Sequence, residues 1–202
     1  TSFVDMATRL GGTTTGSHGL LNLHVTDNQK YIYGINPSRG IVKSTNYGHE
    51  FTDVSMVSLP DSDLSFNITN RNTNAQIFDL SHADTICSSS DGKYTYIGGI
   101  IPNSLNQVDY KLIKSSDYGN NWQLLNSHHF NEYQVLENLD LSFNQNKLKM
   151  DCVGLKISKT GRYIACALGS QELTNKMLFY LSSDYGKSFD FKSILNNDNT
   201  TF

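Results

Sequence analysis

Three copies of one eight-residue loop signature recur along this chain at near-even intervals, and that recurrence restricts it to an array of similar units. The copies are Ser44-Thr45-Asn46-Tyr47-Gly48-His49-Glu50-Phe51, Ser115-Ser116-Asp117-Tyr118-Gly119-Asn120-Asn121-Trp122 and Ser182-Ser183-Asp184-Tyr185-Gly186-Lys187-Ser188-Phe189. Their starting points lie 71 and 67 residues apart. Self-similarity at a nearly fixed period is the mark of repeated supersecondary units.

Each position of the signature has a task in a tight hairpin. The carboxylate of Asp117 or Asp184 can accept hydrogen bonds from backbone N–H groups one or two residues ahead, closing an Asx-type turn. Asn46 lacks the charge but keeps the acceptor. Gly48, Gly119 and Gly186 supply positive φ without steric cost. Phe51, Trp122 and Phe189 open the next strand, where a large ring pins the turn to the core.

A second element recurs upstream, a polar turn followed by a tyrosine-bearing strand: Asp27 to Gly34, Asp91 to Gly98 and Thr160 to Cys166, with a basic residue before tyrosine at Lys30, Lys93 and Arg162. Strand-like runs precede each turn (Leu20 to Val25, Thr85 to Ser89, Cys152 to Ile157). Others lie between turn and octapeptide (Ile41 to Lys43, Tyr110 to Lys114, Met177 to Leu181) and after it (Phe51 to Val57, Trp122 to Leu125, Phe189 to Ile194). Four short antiparallel strands per unit is the anatomy of a β-propeller blade. The expected class is all-β, with about three blades and a ring that is partial or completed by another chain. The expected units are 18–58, 83–127 and 150–195, with an N-terminal arm or neighbouring-blade strand at 1–17, a linker or insertion at 59–82, a linker at 128–149, and a tail at 196–202. Residues Glu132 to Asn146 fit neither helical nor strand period cleanly and are read as loop plus a short strand.

The octapeptide resembles the Asp-box, or BNR repeat, Ser/Thr-x-Asp-x-Gly-x-x-Trp/Phe, of sialidase- and sortilin-like propellers. The second and third copies match at every defined position, and the first departs only at Asn46. The resemblance implies structural roles for Ser44, Asn46, Gly48, Phe51, Ser115, Asp117, Gly119, Trp122, Ser182, Asp184, Gly186 and Phe189, on the outer rim of the blades. It also implies, for a sialidase, an arginine triad and an Arg-Ile-Pro motif. The chain has four arginines, Arg9, Arg39, Arg71 and Arg162, and no Arg-Ile-Pro. Arg162 occupies the repeating position of Lys30 and Lys93, which reads as structural.

Other chemistry fails on spacing. Gly11 to Ser17 lacks the Lys-Ser/Thr ending of a phosphate loop, and Gly16-Ser17-His18-Gly19 lacks the first glycine of a nucleophile elbow. Asp61-Ser62-Asp63 opens like a calcium loop but carries Phe66 and Asn72 where glycine and glutamate belong. His128 and His129 would point to opposite faces of a strand. No catalytic residue, metal site or cofactor is expected.

Composition narrows the partners. A net charge of −3 with 17% charged residues disfavours nucleic acid, and no apolar run reaches the roughly 20 residues that span a bilayer. Three cysteines, Cys87, Cys152 and Cys166, are too few for a disulfide scaffold and read as small buried hydrophobes, although Cys152 and Cys166 flank one turn and could be neighbours. Two sequons, Asn67-Ile68-Thr69 and Asn199-Thr200-Thr201, suit an extracellular or particle-surface protein.

The expected function is non-catalytic recognition or structural assembly, with a glycan or protein ligand. The rest of a longer chain or a second copy would close the ring. Tyr110, Phe130, Tyr133 and Phe143 are the candidate ligand contacts, because they fall outside the repeat. Two alternatives stand beside it: part of a sialidase-like glycoside hydrolase with its catalytic residues elsewhere, and an intracellular scaffold resembling the photosystem assembly propellers.

Overall fold

The computed structural model describes residues 22–36, 40–54, 56–58, 65–67, 85–98, 112–125, 130, 151–169 and 176–196. Every regular element among them is a strand. The first sheet contains β1 (Asn22–Val25), β2 (Ile32–Asn36), β3 (Gly40–Ser44) and β4 (Thr52–Val54), antiparallel and in chain order. Next come β5 (Met56–Ser58) and β6 (Ser65–Asn67), then β7 (Thr85–Ser88), β8 (Thr95–Gly98), β9 (Leu112–Ser115) and β10 (Trp122–Leu124). These six form one sheet in the order β6-β5-β10-β9-β8-β7. The third sheet is β11 (Asp151–Ile157), β12 (Ile164–Gly169), β13 (Lys176–Ser182) and β14 (Asp190–Asn196), again antiparallel and in order. The chain is therefore all-β, built of antiparallel four-stranded units consistent with blades of a partial propeller.

One expectation needs correction. The last strand of the first unit does not run through to Val57: β4 ends at Val54, and β5 belongs to the second sheet, where it pairs parallel with β10 through Val57 opposite Trp122. The expected linker or insertion at 59–82 contains β6, which pairs antiparallel with β5. The same crossing recurs further on, where Phe130 forms a parallel bridge with Phe189. A chain leaving one sheet thus runs beside the octapeptide aromatic of the next and ties the two together. Glu132 to Asn146, Gly11 to Ser17, Asp61 to Asp63 and His128-His129 lie outside the described residues.

The apolar residues form layers between sheets, because side chains on a strand alternate faces and each sheet has a neighbour to cover. Tyr33, Ile35, Ile41, Val54, Ile97, Ile113 and Trp122 fill the layer between the first two sheets. Tyr96, Leu112, Phe130, Ile164, Cys166, Leu178, Tyr180 and Phe189 belong to the layer between the second and third. The first strands β1, β7 and β11 touch one another in succession, on the side where a propeller has its axis. Among the described residues no helix is long and apolar enough to cross a membrane.

Candidate functional site

The octapeptides are three versions of one hydrogen-bonded turn. In the second copy, Ser115 Oγ donates to Asp117 Oδ1 at 2.9 Å and accepts from Gly119 N at 2.8 Å. Asp117 Oδ1 then accepts from Asn120 N at 3.1 Å and Asn121 N at 2.9 Å, and Oδ2 accepts from Asn121 Nδ2 at 2.6 Å. The third copy repeats this through Ser182, Asp184, Gly186, Lys187 and Ser188. The carboxylate therefore spans the turn to the third and fourth residues ahead, rather than closing the one- or two-residue Asx turn that the sequence suggests. The glycines have positive φ as expected, and so do the residues before them: Tyr47, Tyr118 and Tyr185 lie at φ 60, 61 and 63. Two consecutive residues at positive φ are what a type I′ hairpin turn requires.

Burial alone would raise the Asp117 and Asp184 carboxyls, but the donors within each turn outweigh it and hold both below the usual aspartate value. Both are thus ionised at neutral pH and fully engaged. Trp122 and Phe189 are buried, and the Trp122 indole N–H donates to Gly119 O at 3.2 Å. Each octapeptide is also tied to the inner turn of its own sheet: Tyr47 N donates to Lys30 O, Tyr118 N to Lys93 O and Tyr185 N to Arg162 O.

Between sheets, a row of side chains crosses each seam. His24, Tyr33 and Lys43 lie opposite one another on β1, β2 and β3, and all three reach the second sheet. His24 Nε2 is 2.7 Å from Ser88 Oγ, Tyr33 donates its hydroxyl to Gly92 O at 2.9 Å, and Lys43 Nζ donates to Asn120 Oδ1 at 2.6 Å. Cys87, Tyr96 and Lys114 form the equivalent row of the second sheet. There Tyr96 donates to Tyr185 O at 2.9 Å and Lys114 to Gly186 O at 3.2 Å. Burial pushes the Tyr33 phenol up to about 12 and the Tyr96 phenol higher still, so both remain hydrogen-bond donors. Burial lowers Lys43 and Lys114, against the opposing pull of Asp117 and Asp184. The third row is different: Lys156, Ala165 and Leu181.

Stacked rings reinforce both seams. Tyr31 lies on Tyr118 with centroids 5.1 Å apart, and Tyr94 on Tyr185 at 4.9 Å. A cation sits over each repeating tyrosine, at 5.3 Å for Lys30 on Tyr31, 5.5 Å for Lys93 on Tyr94 and 5.4 Å for Arg162 on Tyr163. Arg162 Nε also donates to Ser183 O at 3.1 Å.

Of the candidate ligand contacts, Phe130 is 3% exposed and packed against Phe189 at 4.7 Å and Tyr180 at 5.2 Å. It is core and offers no face to a ligand. Tyr110, Tyr133 and Phe143 lie outside the described residues. The exposed rings belong to the repeat itself: Tyr47 at 63%, Tyr163 at 48% and Tyr185 at 36%. Nothing in the sequence signals this, because Tyr47 and Tyr163 carry the same local pattern as Tyr118 and Tyr94, which are covered across a seam, while Tyr185 keeps its outer side exposed although it stacks on Tyr94. The His24–Ser88 contact was also missed, since residues 64 positions apart carry no local signal. Among the described residues no cluster of His, Cys, Asp or Glu is arranged to hold a metal ion.

No protein-family model matches the chain, and no curated protein matches it. Among solved structures it is similar to a candidate 6-phosphogluconolactonase from Bacteroides uniformis, at 15% identity and a TM-score of 0.41, over 93% of this chain and 43% of that one. It is also similar to a GH74 xyloglucanase from Xanthomonas campestris, at 11% identity and a TM-score of 0.32, over 88% of this chain and 30% of that one. The chain spans less than half the length of either structure.

Proposed function

We propose that the chain is a segment of an Asp-box β-propeller that works by recognition, binding a protein or glycan at a cell or particle surface, and not by catalysis at its box carboxylates. The observation that carries this reading is the complete internal engagement of Asp117 and Asp184. A nucleophile or general base needs a carboxylate oxygen turned to the substrate and a general acid must hold a proton near neutral pH, whereas the oxygens of Asp117 and Asp184 accept from donors of their own turns, which also hold both carboxyls below the ordinary range. Their role is to fix the loop. Beside them, the exposed ring of Tyr47 and the partly exposed ring of Tyr185 stand among amide, hydroxyl and charged groups, the mixture that suits stacking and hydrogen bonding to sugars or polar peptide surfaces.

A glycan array probed with the purified chain, run beside a fluorogenic sialoside assay, tests this. Saturable binding without turnover, reduced by Tyr47→Ala, supports the reading. Turnover that tracks the protein through purification would instead favour the glycoside-hydrolase alternative.

A further inference from the structure

We propose that the outward face of the third sheet is a docking surface for one further blade of the same repeat, a blade with glycine at its inner turn and tyrosine-glycine in its octapeptide. The inference rests on the propeller part of the reading above and is independent of the ligand.

The same seam is built twice within the chain. On its near side stand a turn tyrosine and the strand face that follows it: Tyr31, Tyr33 and Ile35 in the first sheet, Tyr94, Tyr96 and Gly98 in the second. On its far side stand a turn glycine and an octapeptide tyrosine, Gly92 with Tyr118 and then Gly161 with Tyr185. A backbone ladder joins the turns, from Asn28 N to Ser90 O at 3.4 Å and from Ser90 N to Lys159 O at 2.8 Å. The next rung would start at Lys159.

The third sheet presents part of the near half of this seam again, with Ala165 and Leu181 where Tyr33 and Lys43, or Tyr96 and Lys114, stand in the first two. Tyr163 holds the place of Tyr31 and Tyr94, with Arg162 over one side as the lysines are over theirs. Yet it is 48% exposed, and among the described residues no ring stacks on it. Alternation puts Ala165 and Ala167 on the face of Tyr163, with Leu181 and Phe179 opposite them on β13. These four are only partly buried, whereas Ile35, Ile41 and Leu112 at the equivalent places are fully covered. A unit that ends a repeat array carries a polar outer face. The middle of this face is apolar, with Lys156 and Asp190 at its edges, so it suits the packing of a further sheet.

The glycine requirement singles out the occupant. A Cβ on Gly92 would stand 3.0 Å from the Tyr31 ring, and one on Gly161 would overlap the Tyr94 ring. The first sheet of a second copy carries Gln29 at that turn position, at φ 60 beside 81 for Gly92 and 79 for Gly161. Its Cβ would meet Tyr163, and a Cβ cannot swing aside. Gln29 thus makes a second copy a poorer neighbour than a blade with glycine there.

This makes the chain its own probe. Gln29→Gly gives the first sheet the missing glycine, and φ 60 suits glycine without strain, so the variant is expected to fold. Sedimentation of the full chain over a wide concentration range should show Gln29→Gly associating about tenfold or more tightly than the native chain, with Tyr163→Ala in that background abolishing the gain. Circular dichroism and melting confirm that each variant is folded. Association no tighter in Gln29→Gly, or a gain that survives Tyr163→Ala, would overturn the proposal. So would native chain that pairs as tightly as Gln29→Gly, because the occupant would then be a second copy. The glycan array is read on the native chain below its association range, because an associated chain would stack Tyr163 on Tyr47 as Tyr31 stacks on Tyr118 and Tyr94 on Tyr185.

Discussion

Asn46 and Glu50 reverse the polarity of the contact that Asp117 and Asn121 make in the next octapeptide. Asn121 Nδ2 donates to Asp117 Oδ2 at 2.6 Å, whereas Asn46 Nδ2 points at Glu50 Oε2 from 3.5 Å. Asn46 Oδ1 still accepts from Glu50 N at 2.9 Å, so the turn survives. The first copy departs from the motif because its fourth residue ahead is an acid, and two facing carboxylates would repel. Restoring the consensus by Asn46→Asp alone should therefore lower stability, by about 0.5–1 kcal/mol for an exposed pair, although it perfects the motif. Asn46→Asp with Glu50→Asn should recover or exceed the native value. Urea unfolding of the three proteins decides it, and a stabilising single substitution would contradict the account.

Across the first seam, His24 is held below its ordinary value by burial, with Lys156 acting in the same direction and Asp27 opposing. A histidine depressed in the folded state binds fewer protons than in the unfolded chain, so its contribution is complete above the unfolded value of about 6.5 and is lost as pH falls through the folded one. The melting temperature should be level from pH 7 to 8 on this account and decline toward pH 5, and His24→Gln should flatten that decline. Asp91, Asp117 and Asp184 are also depressed, their hydrogen bonds outweighing burial, so their contribution persists to lower pH and disappears only as the medium falls through their folded values. Asp184→Asn should remove part of that acid limb while leaving the His24 limb intact.

The repeat was legible because each turn is specified locally. Ser115, Asp117 and Gly119 satisfy one another within five residues, and strands β8 and β12 were placed by the tyrosine and apolar pattern following each turn. The crossing between β4 and β5 was not legible, since Phe51 to Val57 reads as one strand and the break depends on Trp122 offering a partner in another sheet. Positive φ at Tyr118 and Tyr185 was hidden too, because the adjacent glycine accounts for the turn in sequence terms. Phe130 was misjudged for a related reason: standing outside the repeat suggested a free ring, but its place beside Phe189 is a tertiary fact.

The box glycines should not be equivalent. A Cβ on Gly186 would overlap the Tyr96 hydroxyl, whereas one on Gly48 meets Ile32 Cδ1 at 3.1 Å, the far end of a flexible side chain. Both positions have positive φ, 68 and 81, which costs alanine about 1 kcal/mol or more at each. Gly186→Ala adds the steric displacement of Tyr96 and the loss of its bond to Tyr185 O. It should destabilise by about 1–3 kcal/mol more than Gly48→Ala. Tyr96→Phe in the Gly186→Ala background should cost less than Tyr96→Phe in the native chain, a coupling that a double-mutant cycle measures. Additive effects would mean that the two groups do not meet.

The thiols provide a probe of the second seam. Cys87, Cys152 and Cys166 are buried in the layer between the second and third sheets, and Cys87 and Cys166 are free thiols. Burial, with smaller contributions from the neighbouring thiols, pushes Cys87 up to about 12 and Cys166 well above its ordinary value. Attack on a disulfide reagent requires the thiolate, so neither thiol should react in the folded protein at neutral pH. Labelling can then proceed only when the seam opens. Cys166 sits beside Tyr180 in the register of β12 and β13, with its side chain in the layer that holds Tyr96. Its labelling rate should therefore rise when Tyr96→Phe or Gly186→Ala weakens the seam, even under conditions where the melting transition is still distant. The measurement is the rate of Cys166 modification followed by peptide mass spectrometry, in denaturant too dilute to unfold the chain. A rate that tracked only global unfolding in every variant would show that the second and third sheets separate together with the rest of the chain.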